Sequence, residues 1–179
     1  MRITRVYTRT GDDGTTSLAR GERVSKDSPR ICVLGSLDET SASIGVALAH
    51  GVAPELRDPL KRVQNTLLNL GGELAVRQGS VDLVSKADVT WLERTVDRWN
   101  GSLPPLKEFI LPGGSPPAAF LHHARSVARR AERDLVALSK AESVNKLCLA
   151  YVNRLSDFLF VAARYQNAKD GGEERLWAR

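Results

Sequence analysis

With 179 residues, 42% of them hydrophobic, the chain can build one sizeable core but is short for two domains, so a single domain is expected. A net charge of +5 attracts anions without choosing among nucleic acid, phosphorylated metabolites and an anionic membrane. Cys32 and Cys148 lie in apolar helical patterns without metal-ligand spacing, which excludes a disulfide scaffold or a cysteine metal centre and reads as core thiols in a reduced compartment. No targeting leader is recognisable and no apolar window reaches the roughly 18 residues of a membrane span, so a soluble, cytoplasmic protein is expected.

Residues 1–28 carry no sustained helical period. Within them Tyr7-Thr8-Arg9-Thr10-Gly11-Asp12-Asp13-Gly14-Thr15-Thr16-Ser17 concentrates glycines, hydroxyls and a cation. Such a loop can close its backbone N–H groups on phosphate, although the Walker spacing is absent and Gly-Asp-Asp-Gly is also a common turn. Lys26 adds a further possible phosphate contact. A first helix is predicted from Ser28 as N-cap and Pro29 in the first turn, through Ile31, Leu34, Ile44 and Leu48, to a stop at His50-Gly51. It contains the acidic pair Asp38-Glu39. A second helix, about Pro54 to Val76, carries Leu56, Leu60, Val63, Leu67, Leu70 and Leu74, an alternation of fours and threes suited to close antiparallel packing. Ser85 with Asp88 reads as a capping box for a third helix through Val89, Leu92, Val96 and Trp99.

Residues 100–115 form a connection stiffened by Pro104, Pro105 and Pro112, with Phe109 as a large apolar group upon it. A fourth helix, from Ser115 or Pro116 to about Ser139, presents Ala124, Val127, Ala128, Ala131, Leu135 and Leu138 as one apolar stripe. Arg125, Arg129 and Glu132 run along its edge, and Arg130 with Asp134 suggests an exposed pair one turn apart. A fifth helix, Ser143 to Asn167, buries Cys148, Tyr151, Val152, Leu155, Phe158, Leu159 and Ala162, with Asn153 and Asp157 on another face. The tail from Asp170 to Arg179 is polar and is expected to be loose.

A di-iron centre of the ferritin kind is excluded, because no histidine has a glutamate three residues before it. Adjacent His122 and His123 point in different directions and are read as non-ligands, and no metal site is assigned. A nucleophile elbow and a catalytic cysteine signature are also missing.

Five stretches in order then carry a resemblance: Tyr-Thr-Arg-Thr-Gly-Asp-Asp-Gly-Thr-Thr, Gly-x-x-Asp-Glu, Phe-Ile-Leu-Pro-Gly-Gly, Ala-Arg-x-x-x-Arg-Arg-Ala-Glu-Arg and Tyr-x-Asn-Arg-Leu-Ser-Asp. Over roughly residues 5–167 the chain resembles the PduO-type ATP:cob(I)alamin adenosyltransferases. The resemblance implies an all-α, five-helix bundle with ferritin-like up-and-down packing and an irregular N-terminal ATP-binding segment. Residues 1–28 would be that segment, 29–168 the bundle and 169–179 the loose tail. It also implies a homotrimer with active sites between subunits, and transfer of the 5'-deoxyadenosyl group of ATP to cob(I)alamin, with Mg2+ accompanying the triphosphate.

By that resemblance ATP is held by Thr8, Arg9, Thr10, Gly11, Thr16, Ser17 and Lys26, together with Arg129, Arg130, Ala131, Glu132, Arg133 and Asn153. Arg129 stabilises the phosphates and Glu132 orients the nucleotide. Phe109 lies under the corrin and displaces its lower axial ligand, while Asp38 and Arg125 form an ion pair beside the corrin pocket. A reductase supplying cob(I)alamin and an adenosylcobalamin-dependent enzyme receiving product are the implied partners, with neither nucleic acid nor membrane required. One departure stands out: Thr40-Ser41 follow the acidic pair where the family commonly has Leu-Asn. Two other classes fit part of the pattern: a non-catalytic sensor or delivery bundle for ATP and cobalamin, and a basic helical module using Arg125, Arg129, Arg130 and Arg133 on nucleic-acid phosphates.

Overall fold

A computed structural model describes Tyr7, residues 9–76 and residues 82–178. Two short strands, β1 (Thr15–Ser17) and β2 (Arg23–Ser25), precede five helices: α1 (Pro29–Ala49), α2 (Pro54–Leu74), α3 (Lys86–Asn100), α4 (Pro116–Ala141) and α5 (Lys146–Lys169). The helices match the sequence reading to within about three residues at each end, and the bundle is the expected one. The hairpin was not foreseen. Its strands pair antiparallel with Thr16 opposite Val24, and at three residues each they are too short to show a period of two. Buried Leu18 and a bond from Ala19 N to Ala75 O (3.0 Å) fasten the hairpin to the end of α2.

Helix α1 begins with Pro29 at its first position, as expected, but Ser28 does not cap with its side chain: its hydroxyl is buried without a partner. Gly51 ends the helix at φ 84°, a left-handed conformation that an L side chain rarely adopts. Ser85 and Asp88 do form the capping box, with Ser85 N and Oγ both donating to Asp88 Oδ2 at 3.0 and 2.7 Å. Burial raises the Asp88 pKa, but the Ser85 bonds and the Arg62 guanidinium outweigh it and hold the carboxyl below its ordinary 3.8. Asp88→Ala is expected to cost ~1 kcal/mol at neutral pH. Because a depressed carboxylate stabilises above its unfolded pKa and loses that contribution as pH falls, the gap between the two melting curves should close below 3.8.

The packing runs in the order α2, α1, α4, α5, α3, so that α1, α4 and α5 each have a helix on both sides. Ala124, Ala128 and Ala131 are fully buried on α4, and such small side chains allow neighbouring helices to approach closely. Polar bonds fix the antiparallel register of α1 against α4 at three levels. Arg30 Nη2 pairs with Glu142 (2.6 Å), Ser36 donates to Asp134, and Glu39 pairs with Arg130. The expected Arg130–Asp134 pair is therefore replaced by two contacts across the seam. On the far side Trp99 packs on Phe158 (centroids 5.1 Å apart) and on Tyr165, closing α3 over α5.

Three further expectations change. Cys148 is buried as read, but Cys32 is exposed, because α1 turns that position outward. Helix α1 does have the length and apolar composition of a membrane span, contrary to the reading of the sequence; Val33, Leu37, Ile44 and Ala47 face the bundle core, while only 33% of that apolar window is buried. The tail is tied down, as described below. Thr40, at the position of departure from the family pattern, is fully buried with its hydroxyl bonded to Ser36 O (2.8 Å), so the helix absorbs the substitution.

Candidate functional site

The N-terminal loop is held by its own side chains. Lys26 Nζ donates to Gly11 O (2.7 Å), and Gly14 N closes back on Gly11 O (3.3 Å). A Cβ at Gly11 would meet Thr15 O at 3.0 Å, which explains a glycine there. Arg23 was not singled out from the sequence. It donates to Thr10 O (2.6 Å) and Thr15 Oγ1, reaches Ser17 Oγ (3.4 Å), and pairs with Asp13 (3.4 Å). Only its cross-strand place opposite Ser17, invisible until the hairpin is recognised, could have pointed to it. Two Thr15 hydrogen bonds hold the Asp13 carboxyl below its ordinary range. Arg9 takes φ 61° and lies over the Tyr7 ring. Thr16 is half-buried in β1, and Thr8 lies outside the described residues.

The second group sits on the α4–α5 seam. Asn153 Nδ2 donates to Glu132 Oε1 (2.7 Å), so two of the residues expected beside ATP, 21 apart in sequence, are in contact. Arg154 then steadies Asn153 Oδ1 (2.9 Å) while its Nε holds Glu93 (2.9 Å). Arg133 Nη1 donates to Arg129 O (3.1 Å). Arg129 is exposed, and no described residue bonds or pairs with its guanidinium. One turn earlier Arg125 is half-buried, with Nε enclosed and unpartnered. Burial first, and the Arg129 charge second, push the Arg125 pKa down. Like charges one turn apart are unfavourable on a helix, so the row calls for an anion. Ala131, expected beside ATP, is in the core, and Arg130 turns to Glu39.

Asp38 and Arg125 do not pair within the chain. Asp38 is exposed and borders a groove between α1 and α2 lined by Leu34, Leu67, Leu68 and Gly71. The loop and the α4 cations are anchored at different levels of α1. The loop is fastened by Ala19 N on Ala75 O, at the end of α1 where Arg30 bonds Leu74 O, whereas Arg130 meets Glu39 nine residues further along α1, an axial offset of about 14 Å between the two anchor levels.

Phe109 is 74% exposed, which rules out a core plug. Its nearest ring is Trp177, edge-on at 6.3 Å and 66°. The tail pairs with this loop through an antiparallel bridge between Ile110 and Leu176. Trp177 N donates to Phe109 O (2.7 Å) and Leu111 N to Arg175 O (2.8 Å). Beneath the junction His122 is buried with Nδ1 unpartnered. Burial and then Arg125 lower its pKa from 6.5 to about 4, against a smaller opposing pull from Glu174. The unfolded chain takes up that proton first, so His122 contributes to acid sensitivity as pH falls from 6.5 to about 4 and no further below it. His122→Gln should flatten the dependence of the melting temperature on pH across that interval.

No group of three or more His, Cys, Asp or Glu side chains able to hold a metal occurs among the described residues. What the fold and site define is an all-α bundle presenting uncompensated guanidinium groups beside a carboxylate–amide pair, with an exposed aromatic on a braced loop. The profile of the cobalamin adenosyltransferase family matches residues 6–166, and the chain belongs to that family. It is 46% identical over 179 residues to a cobalamin adenosyltransferase of Cupriavidus metallidurans, covering 99% of this chain and 96% of that one. A corrinoid adenosyltransferase of Bacillus subtilis is 44% identical, covering 93% and 89% of the two chains. Among solved structures, a PduO-type ATP:corrinoid adenosyltransferase variant from Lactobacillus reuteri complexed with cobalamin and ATP superposes with a TM-score of 0.91 at 33% identity, over 98% of this chain and 100% of that one.

Proposed function

We propose that the chain transfers the 5'-deoxyadenosyl group of ATP to the cobalt of cob(I)alamin, releasing triphosphate, and that Arg129 stabilises the leaving group. The observation that carries this reading is the unpaired Arg129 guanidinium beside the half-buried Arg125, within a family whose members are named for the reaction. The Co(I) electron pair forms the Co–C5' bond while the C5'–O5' bond breaks and its electrons leave on triphosphate. No proton need be moved, so the protein's contribution is alignment and charge stabilisation. Glu132, held by Asn153 at 2.7 Å, orients the nucleotide, and the Gly11 to Ser17 loop with Lys26 binds the phosphates through backbone and side-chain donors. Among the described residues no His, Cys, Asp and Glu cluster fits a resident metal, and in this reading Mg2+ accompanies the triphosphate on its own oxygens and waters.

Anchoring of the loop and of the α4 cations at different levels of α1 supports a homotrimer in which one subunit's loop meets another's α4. The same arrangement gives Asp38 and Arg125 a partner across the interface. The protein works in the cytoplasm, a reductase supplies cob(I)alamin and an adenosylcobalamin-dependent enzyme takes the product. Purified protein with ATP, Mg2+ and chemically reduced cobalamin should convert the Co(I) visible spectrum to that of a light-sensitive alkylcobalamin under anaerobic conditions. Binding of both substrates without conversion would sink the reaction and leave a sensor or delivery protein.

A further inference from the structure

We infer that Glu93 of α3, a residue outside every motif that carries the resemblance, is a positioning residue for the nucleotide: through Arg154 it fixes which end of the Asn153 amide faces Glu132. The inference rests on the reading of Glu132 and Asn153 as nucleotide contacts. An amide side chain offers donors at one end and an acceptor at the other, and only one of its two orientations suits a carboxylate. Here Nδ2 donates to Glu132 Oε1 (2.7 Å) while Oδ1 accepts from Arg154 Nη1 (2.9 Å). Turned over, the amide would set its oxygen against the Glu132 carboxylate and its NH2 group against a guanidinium, and both bonds would be lost. Arg154 therefore makes the orientation unique.

Arg154 must be held in its turn, and two carboxylates compete for it. Glu93 takes Nε at 2.9 Å, whereas Asp157, three residues further along α5, stands 3.8 Å from Nη1, beyond hydrogen-bond reach. That same Nη1 serves Asn153. With Glu93 gone, the guanidinium is free to turn toward Asp157 on its own helix, and Asn153 Oδ1 loses its donor. Glu93 owes its place to the seam beneath it, where Leu92 is fully buried and Trp91 and Trp99 both pack on Phe158 of α5, at 5.9 and 5.1 Å between centroids. The row Glu93, Arg154, Asn153, Glu132 thus runs from α3 over α5 to α4. It leaves Glu132 Oε2, which bonds no described residue, to accept from a hydroxyl or amino group of the nucleotide. The side chains of Arg154 and Glu93 are 42% and 44% exposed, so their pair adds little to stability and positioning can be separated from folding.

The test uses the full chain with Mg2+ and chemically reduced cob(I)alamin in excess, and reads kcat and KM for ATP alongside the melting temperature. It compares Glu93→Ala, Glu93→Gln, Asn153→Ala and the double Ala variant. Glu132 meets the nucleotide as soon as ATP binds, so Glu93→Ala should raise KM for ATP about tenfold with kcat and melting temperature nearly unchanged. Glu93→Gln keeps an acceptor for Arg154 Nε and should recover most of the affinity, and the double variant should be no worse than Asn153→Ala alone. A raised KM in Asn153→Ala but not in Glu93→Ala overturns the role of Glu93 and leaves the nucleotide site standing. A fall in kcat at unchanged KM in Glu93→Ala overturns it too, since a smaller folded fraction explains that result. Additive losses in the double variant also overturn it, because Glu93 would then act on ATP independently of the amide. Unchanged KM in Asn153→Ala overturns the nucleotide reading of that amide, and this inference with it.

Discussion

Arg129→Ala is expected to lower kcat by about 10²–10³-fold, the size of effect seen when one preorganised donor to a developing anion is removed. The guanidinium is exposed and makes no bond to any described residue, so its loss should leave the melting temperature and the assembly intact. Removal should even relieve Arg125, whose charged form is disfavoured by burial and by Arg129. Arg129→Lys keeps the charge but not the planar fork, and should recover only part of the activity. A stopped assay on each variant, with KM for ATP measured alongside, separates charge stabilisation from simple binding. Near-normal kcat in Arg129→Ala would remove this residue from the site.

Phe109→Ala should act at a different stage. With cob(II)alamin and a reductant as the source of cobalt, turnover should fall about 10–100-fold, because cobalt keeps a lower axial donor and its reduction becomes harder. With chemically reduced cob(I)alamin supplied in excess, the same variant should lose far less. The contrast between the two assays identifies the aromatic with reduction rather than alkyl transfer. Equal losses in both would mean that Phe109 serves general corrin binding instead. The folded state should tolerate the change, since the side chain is mostly exposed and contacts chiefly Trp177.

The helices were legible because each is long enough to repeat its period. Leu56 to Leu74 on α2 and Ala124, Ala128, Ala131, Leu135 and Leu138 on α4 read as core and are buried, Val127 at the edge of that stripe being only half-buried, and the Ser85–Asp88 signal marks the true start of α3. Contacts between distant segments were not legible. The spacing rule that suggested Arg130–Asp134 sees only one helix, whereas Glu39 and Ser36 come from α1 and compete successfully for both residues. The tail was misjudged for the same reason. Its composition is polar, but a single buried Arg164 ten residues earlier gives Glu174 a fixed place.

The expected site divides along similar lines. Glu132 and Asn153, which the resemblance places separately beside ATP, are bonded to each other, because both project from rigid helices whose facing is set by the apolar stripe. Ala131 belongs to that stripe itself, so motif membership alone overstated its access to ligand. Arg23 was missed because its work is cross-strand, within a hairpin of three-residue strands.

Anchoring of the N-terminal loop and the α4 cations at different levels of α1 has a statistical consequence. If each catalytic unit draws its loop from one chain and its α4 from another, two inactive variants can repair each other. Lys26→Ala damages only the loop, Arg129→Ala only the helix, and chains co-expressed in equal amounts assemble at random. An interface works when the loop donor carries the helix lesion and the helix donor carries the loop lesion, which happens in about one quarter of interfaces of a cyclic assembly. Recovery near that fraction would show heterologous sharing between chains; no recovery above the two variants measured separately would place both halves in the same polypeptide.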